Sequence, residues 1–267
     1  MVQAEGMGAV RRDTRDSAEE PRAECARPGL GPLYRQVKMI LIGLDDTDVL
    51  ESRGTGHLAR EVAARLSAEH TLLGVTRHQL LVDPRVPYTK NNSASAILLD
   101  GAGEPDLEEL LQQVKGWMLD DFQAGSDPGL CVATAQAAAG VTAFGEAVQR
   151  EVVTQAQARA LAEEQGLLLV GLGGDEDGII GALAAVGLAA SGDDGRYVLV
   201  GRSRELSGLQ PVPALLAAGI AAVRTVDGQP VTEGLVQTDR LRPARRGGQS
   251  IAVVEREADH WLPLKLD

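Results

Sequence analysis

Cysteine, aromatic residues and long apolar runs are all scarce in this chain. Its 267 residues include two cysteines, Cys25 and Cys131, which lie far apart. That spacing excludes a zinc ribbon, which needs closely spaced cysteine pairs, and it disfavours a disulfide framework. So few cysteines are expected of a reducing, cytoplasmic setting. No apolar stretch is long enough to span a bilayer, so we expect no membrane contact.

The composition also limits the core and the partners. Aromatic residues make up 3% of the chain, whereas hydrophobic residues make up 44%. The core must therefore consist mainly of Ala, Val, Leu and Ile, which favours helices packed closely against a sheet. The formal net charge is -12. An acidic surface argues against broad, non-specific nucleic-acid binding, because such binding relies on neutralising phosphates.

Residues 1–38 are predicted to form a disordered extension. They carry charges of both signs without apolar periodicity, and the Pro- and Gly-rich run at residues 28–32 breaks regular structure. Met39 stands directly before the first apolar segment. We expect the native protein to start at this methionine.

The rest of the chain alternates between strand and helix patterns, which predicts an α/β fold. We expect a mixed sheet with packed helices over residues 39–204 and a small β-rich C-terminal module over residues 205–267. The predicted strands are residues 39–44, 72–81, 94–99, 130–134, 167–172 and 197–201. The predicted helices are residues 56–69, 107–118, one within 145–165, and 179–190.

An acidic run follows the first predicted strand. Asp45, Asp46 and Asp48 place three carboxylates within four positions, with Thr47 among them. Like charges this close repel one another, and each carboxylate prefers water or a cation. Oxygen-rich clusters of this kind suit Mg²⁺, whose shell is usually completed by phosphate oxygens. The alternative is a solvated acidic turn.

A glycine-flanked threonine lies just downstream. Arg53, Gly54, Thr55 and Gly56 lead directly into the predicted helix. Backbone N–H groups at a helix start attract anions, and flanking glycines let a phosphate approach. We predict a phosphate cradle here, with Thr55 as a simple helix cap as the alternative. This segment is not a Walker loop, because the final Gly-Lys-Ser/Thr is missing.

Two further loops carry candidate ligands. Lys90, Asn91 and Asn92 supply a point charge and amide donors that suit phosphate or base contacts, unless the loop is an ordinary polar hairpin. Asp175 and Asp177 precede the apolar helix pattern that Gly178 opens. They form a second group of carboxylates facing the metal, or they are charges that cap this helix.

A basic segment near the C-terminus is exceptional in this acidic chain. A solvated loop is the simpler explanation, and contact with a phosphate or nucleic acid is the alternative. Its basic residues are Arg240, Arg242, Arg245 and Arg246.

Several of these segments together resemble the N-terminal kinase-like domain of the TiaS family, the 2-agmatinylcytidine synthetases that act on an isoleucine tRNA. The resemblance extends over about residues 39–204. It implies an ATP-using domain in which the aspartates bind Mg²⁺–ATP and Thr55 is autophosphorylated. The matching segments, in chain order, are residues 42–48 (IGLDDTD), Gly54-Thr55, 84–88 (PRVPY), 127–129 (DPG) and 178–187 (GIIGALAAVG).

The chain departs from the family pattern in three places. Residues 53–57 (RGTGH) replace Gly-Met-Cys-Thr-Thr, and residues 89–93 (TKNNS) replace Lys-Thr-Arg-Gly-Asn. Asp177 stands where an arginine often precedes the helix motif. The lost positive charges are expected to alter the choice of nucleotide or substrate. The OB-fold and zinc ribbon with which the family reads tRNA are not expected, because about sixty residues without cysteine follow Arg204.

The sequence therefore predicts Mg²⁺–ATP-dependent phosphotransfer or ATP hydrolysis, acting on a small substrate. In this hypothesis Asp45, Asp46 and Asp48 hold the metal, and Asp46, Thr55 and Lys90 carry the catalysis. Two alternatives stay open: a nucleotide-binding module without catalysis, and a tRNA cytidine-modifying enzyme that needs a separate RNA-binding partner. The predicted nucleotide contacts are Thr47, Arg53, Gly54, Thr55, Gly56, Lys90, Asn91, Asn92, Asp175, Asp177 and Gly178.

Overall fold

A computed structural model of the chain describes residues 38–239 and 241–266. Apart from Lys38, the predicted disordered extension lies outside the described residues. The strands are β1 (Met39–Asp45), β2 (Leu72–Gln79), β3 (Ser93–Asp100), β4 (Gly129–Thr134), β5 (Leu168–Gly171), β6 (Arg196–Leu199), β7 (Leu209–Pro211), β8 (Ala222–Thr225), β9 (Leu235–Gln237), β10 (Ala244–Arg246), β11 (Gln249–Glu257) and β12 (His260–Pro263). The helices are α1 (Thr55–Leu66), α2 (Leu107–Asp120), α3 (Ala135–Ala138), α4 (Thr142–Val148), α5 (Gln155–Gln165), α6 (Gly178–Ser191) and α7 (Val212–Ala217).

The strands form one mixed sheet, in the order β5-β4-β1-β3-β2-β6-β10-β11-β12-β9-β7, with β8 paired to β11. Strand β1 lies between β3 and β4 and is antiparallel to both. Because side chains alternate across a strand, Leu41 enters the core on one face of the sheet while Ile40 and Ile42 enter the core on the other. The predicted mixed sheet with packed helices is confirmed, and its first apolar segment is a central, buried strand.

Helix α6 packs across one face of the sheet at very short range. A Cβ atom on Gly43 of β1 would lie 2.1 Å from the carbonyl oxygen of Ala182, so only glycine permits this approach. Leu183, Val186 and Leu188 of the helix are buried among residues of the sheet and of α3 to α5. This enclosure explains why α6 is apolar around its whole circumference.

Helices α1 and α2 cover the opposite face. Leu58, Val62 and Leu66 of α1 are buried against β1, β2 and β3, as are Ala59 and Ala63. Asp106 starts α2 by accepting hydrogen bonds from the N–H groups of Glu108 and Glu109. The sheet therefore has a helical layer on each face, and these layers position the loops at the end of β1.

The helix predicted within residues 145–165 is confirmed as α5, which begins at Gln155 after α4 has ended at Val148. The side chain of Thr154 accepts a hydrogen bond from the N–H of Gln157, and the Gln157 side chain bonds back, which makes a capping box that starts α5. The short helix α3, directly after β4, was not predicted.

The C-terminal residues are β-rich, as expected, and their strands continue the sheet through the pairing of β10 with β6. Arg245 of β10 is fully buried. Its guanidinium donates to the carbonyl oxygen of Ala189 at 3.0 Å and to the hydroxyl of Tyr197 at 2.6 Å. Arg245, one of the residues of the predicted basic segment, therefore has a structural role, because it links β10 to the C-terminal end of α6. No helix within the described ranges is long and apolar enough to cross a membrane.

Candidate active site

A cleft opens where β1, α1 and α6 meet. Asp45 ends β1, Thr55 begins α1 and Gly178 begins α6, and all three residues line it. The loop between β2 and β3 and the segment between α4 and α5 supply the other walls. The cleft has a volume of about 380 Å³. That size suits a small molecule such as a nucleotide.

The acidic run places two carboxylates with raised pKa values in the cleft. Burial raises the pKa of Asp45 to about 8, and the neighbouring charges of Asp46 and Asp48 add to the rise. Burial also raises the pKa of Asp46 to about 6, with further contributions from Asp127, Asp48 and Asp177. The charged groups that act on both residues are all carboxylates, and a hydrogen bond from the backbone N–H of Asp46 offsets only part of the rise in the pKa of Asp45. Such an arrangement favours a bound cation.

Asp48 connects the acidic run to the start of α1. Its Oδ1 accepts hydrogen bonds from the hydroxyl of Thr55 at 3.1 Å and from the N–H of Thr55 at 3.3 Å. Its Oδ2 accepts from the hydroxyl of Thr89 at 2.9 Å. The buried hydroxyl of Thr47 donates to Thr55 Oγ1 at 3.2 Å. The predicted residues Thr47, Asp48 and Thr55 therefore form one network, and Asp48 caps the helix that Gly54 precedes.

The first turn of α6 forms the floor beneath Asp45. A Cβ atom on Gly181 would lie 1.7 Å from Asp45 Oδ2, and one on Gly178 would lie 2.4 Å from the carbonyl oxygen of Asp127. The two glycines of the Gly-Ile-Ile-Gly motif thus admit the carboxylate and the neighbouring strand. Gly178 was predicted as a site residue from this motif, whereas Gly181 was not.

The second acidic loop is held in place by hydrogen bonds to its neighbours. Asp127 Oδ1 accepts from the N–H of Asp175 at 2.8 Å. The side-chain amide of Gln155 donates to Asp177 Oδ1 at 2.6 Å and to the carbonyl oxygen of Asp175 at 2.7 Å. Asp177 lines the cleft, whereas Asp175 does not. Asp177 occupies the N-cap position of α6 without a side-chain cap bond, so its carboxylate is directed to Gln155.

The loop between β2 and β3 brings Asn91 and Asn92 to the cleft but not Lys90. The side chain of Lys90 is exposed and does not contribute to the lining. The amide of Asn92 donates to the carbonyl oxygen of Leu81 at 2.7 Å, which closes the base of the loop. Thr89, which sequence reasoning did not select, reaches Asp48 from this loop. The direction of a loop side chain depends on the whole fold, so no local pattern identifies it.

Three other predicted contacts lie beside the cleft. Arg53 is exposed, and its guanidinium lies 2.7 Å from Nε2 of His57 on the outer side of α1. Gly54 and Gly56 flank Thr55 without contributing to the lining. A Cβ atom on Gly54 would meet nothing within 4 Å, so the space above this helix start is open.

The cleft also has an apolar wall that the sequence did not reveal. It combines residues from the loop after β2, from the end of α4 and the segment that follows it, and from the first turn of α6, which are remote in sequence. A cleft lined by both apolar residues and carboxylates suits a ligand with a ring at one end and a cation-bound charge at the other. The apolar residues are Leu80, Leu81, Val86, Pro87, Tyr88, Val148, Val152, Val153 and Ile180.

The donor set fits a magnesium ion that enters together with a phosphate ligand. Within the described residues, no three or more His, Cys, Asp or Glu side chains form a preassembled metal cage. Mg²⁺ does not require one, because it commonly uses one or two carboxylates, several waters and the oxygens of a phosphate. Asp45 and Asp46 provide anionic oxygens whose raised pKa values a cation would lower.

Comparison with known proteins yields structural neighbours only. No protein-family model and no curated protein sequence matches the chain. A tRNA fluorescent labeling enzyme is similar in structure, with 25% sequence identity and a TM-score of 0.50, over 56% of this chain and 36% of that one. A TiaS–tRNA–ATP complex is similar with 24% identity and a TM-score of 0.51, over 56% and 36% of the two chains. The chain thus spans about a third of the length of these neighbours, and the likeness shows a shared fold.

Proposed function

We propose that the cleft binds Mg²⁺–ATP and uses it in phosphotransfer to a small substrate or in ATP hydrolysis. The observation that carries this proposal is the pair Asp45 and Asp46, whose carboxylates are crowded by other carboxylates beside a hydroxyl and an apolar wall. A magnesium ion neutralises this charge and brings the phosphates with it.

The residues of the acidic run have different roles in this proposal. Asp45 and Asp46 hold Mg²⁺, which polarises the phosphate oxygens when it is bound. Asp48 is the third predicted metal ligand, and its hydrogen bonds to Thr55 and Thr89 also fix the start of α1 over the cleft. The open space above Gly54 leaves room for phosphate oxygens near the helix N-terminus.

Thr55 is the proposed phosphoacceptor within the chain. Thr55 lines the cleft, and its Oγ1 lies 3.1 Å from Asp48 Oδ1, which is within reach for accepting the hydroxyl proton as the oxygen attacks the terminal phosphorus of ATP and ADP leaves. The apolar wall would take the base, with Asn91 and Asp177 at its polar rim. Lys90 belongs to this proposal only if its loop closes on bound nucleotide.

The structural neighbours support ATP use and add a second candidate function. One neighbour is a TiaS structure that contains both tRNA and ATP, and another is an enzyme that labels tRNA. Modification of tRNA is therefore the alternative substrate choice for the same cleft, and a partner could supply RNA recognition. A purely nucleotide-binding role is the non-catalytic alternative.

Turnover and binding measurements test the proposal together. Calorimetry with ATP is run with Mg²⁺ and with excess EDTA, and phosphate, ADP and AMP are assayed after incubation. We expect Mg²⁺-dependent binding and product formation in the wild type, and at least about tenfold weaker binding in Asp46→Asn. Asp120→Asn, an exposed aspartate at the end of α2, is the matched control. Binding without any product would favour the non-catalytic module, and no binding would refute the proposal.

A further inference from the structure

A basic surface lies on the same face of the sheet as α1, outside the cleft. It is assembled from α1, β2, β6 and three later segments of the chain, so no single sequence motif contains it. Its residues are Arg60, Arg77, Arg196, Arg204, Arg242 and Lys265. The surface is exceptional because the whole chain carries a formal net charge of -12.

Strand register places two of these arginines directly opposite each other. Arg77 of β2 pairs with Arg196 of β6, and Arg77 also pairs with Ser95 of β3 on its other side. Like charges that face each other across two strands repel. A ligand with negative charge would lower this repulsion.

The remaining basic groups surround this pair. Burial lowers the pKa of Arg60, and the nearby Arg204 and Arg242 lower it further. Burial lowers the pKa of Arg196 to about 10, and Arg77 and Arg242 contribute. The pKa of Lys265 is lowered first by Arg196. These mutual effects agree with the strand register, which pairs Ala244 with Arg196 and so brings Arg242 close to the buried Arg196.

The solvent-accessible members of the basic surface retain hydrogen-bonding capacity. Arg204 and Lys265 are exposed, and Arg60 and Arg242 are half-buried. Within the described residues, Arg204 donates to the carbonyl oxygen of Val198 at 3.4 Å, and Arg242 donates to that of Leu241 at 2.7 Å. A guanidinium has five N–H donors, and no salt bridge to a described carboxylate occupies those of Arg204 or Arg242. Phosphate oxygens match these forked donors.

The sheet also fixes the distance from the basic surface to the cleft. Leu44, which precedes Asp45, pairs with Ser95, and Ser95 pairs with Arg77. Since neighbouring strands lie about 4.8 Å apart, the backbone of Arg77 is about 10 Å and that of Arg196 about 14 Å from Leu44. The two regions are therefore adjacent but separate, and they have opposite charge.

We propose that this basic surface is a second ligand site, which binds an anion carrying several phosphate groups. The proposal does not depend on ATP binding in the cleft. The phosphates can belong to a small polyphosphorylated molecule or to the backbone of an RNA, and both present the same chemistry to the arginines. The number of basic side chains suits several phosphates better than a single phosphate.

The test uses two phosphate probes on the full chain, in EDTA so that Mg²⁺ cannot bridge a phosphate to the cleft. Tripolyphosphate binding is measured by calorimetry, and binding of a short fluorescent single-stranded RNA is measured by anisotropy. The variant Arg204→Gln/Arg242→Gln removes two cations from the surface. The control Arg65→Gln/Arg224→Gln removes the same net charge from exposed positions elsewhere.

We expect the wild type and the control to bind at least one probe with similar affinity, and the Arg204/Arg242 variant to bind it about tenfold more weakly at about 0.1 M salt. Its dependence of affinity on salt should also be shallower, because fewer phosphates are neutralised. Preference for tripolyphosphate would assign a small ligand, and affinity that grows with RNA length would assign a nucleic-acid backbone. The proposal is overturned if neither probe binds, or if both double variants lose affinity equally. If the wild type does not bind Mg²⁺–ATP, the cleft proposal is refuted, but the proposal for the basic surface is not.

Discussion

Thr55 Oγ1 donates a hydrogen bond of 3.1 Å to Asp48 Oδ1, and this contact joins the acidic run after β1 to the first residue of α1. The same carboxylate binds Thr89 through its other oxygen. Asp48 thereby binds the hydroxyls of two threonines at the cleft, Thr55 and Thr89, and only Thr55 begins a helix. Substitution of each threonine in turn can therefore distinguish the proposed phosphoacceptor, Thr55, from a neighbour with the same hydroxyl group.

Replacing Thr55 with alanine should abolish autophosphorylation. The hydroxyl that attacks phosphorus is lost, and the lost hydrogen bonds cost about 1 kcal/mol of stability, so the fold persists. Intact-mass measurement after incubation with Mg²⁺–ATP gives the phosphate content. Thr55→Ser should restore the modification because it restores the hydroxyl.

Thr89→Ala is the matched control for this measurement. It removes the other hydroxyl bound to Asp48, and it should leave the phosphorylated position unchanged. A phosphate that persists in Thr55→Ala would assign the acceptor role to another residue.

The stability of the chain without metal should fall as the pH rises from about 4 to about 8. The folded pKa of Asp45 is raised from 3.8 to about 8, so the folded state keeps a proton that the unfolded state has released across this range. Because the folded state binds more protons, rising pH favours unfolding, and Asp46 adds to the effect up to about pH 6. Thermal unfolding in EDTA at several pH values measures the slope.

Asp45→Asn should flatten this pH dependence and raise the unfolding temperature at about pH 8 by at least about 3 °C, since a buried charge is removed. Asp120→Asn is the exposed control and should keep the wild-type slope. Added Mg²⁺ should stabilise the wild type most at the high end of the range, because it binds the deprotonated carboxylates. Equal slopes in the wild type and in Asp45→Asn would contradict the buried, crowded state of this carboxylate.

The sequence predicts the elements of the fold better than it predicts where they begin and end. The apolar segment before Asp45 and the Gly-Ile-Ile-Gly helix are strong local patterns, and both elements form as expected. The helix within residues 145–165 also forms, but its start was not predicted, because no Pro or Gly marks it. The capping pattern of Thr154 and Gln157 was the available signal for the start of α5.

The site was predictable where its residues follow the ends of secondary-structure elements. Asp45, Asp46, Asp48, Thr55, Asp177 and Gly178 all line the cleft and stand at a strand end or a helix start. The exposure of Lys90 and the apolar wall with Val152 and Ile180 depend on contacts between remote segments, which periodicity does not encode. The basic surface is missed for the same reason, since Arg77 and Arg196 meet only through strand register.

Gly43→Ala should destabilise the fold by about 3 kcal/mol or more. The added methyl group would lie 2.1 Å from the backbone oxygen of Ala182, and backbone atoms in the core cannot move aside cheaply. Gly116→Ala in α2 is the opposite case, because its Cβ would meet nothing within 4 Å, and alanine should stabilise that helix by about 0.5–1 kcal/mol. Urea unfolding of both variants measures the two changes. Similar stability of the two variants would mean that α6 does not pack on β1 at this distance.

Gly181→Ala should weaken Mg²⁺-dependent ATP binding more than it weakens the fold. The new Cβ would lie 1.7 Å from Asp45 Oδ2, which can rotate away, and 2.9 Å from Asp45 Cβ, which rotation does not move, so a small shift of α6 accompanies the rotation. Rotation moves the carboxylate off the floor of the cleft, so we expect about tenfold lower affinity for ATP at saturating Mg²⁺. Calorimetry on Gly181→Ala, with Gly116→Ala as the helix control, measures the effect. Unchanged affinity in a folded Gly181→Ala protein would remove Asp45 from the proposed metal site and leave Asp46 as its main ligand.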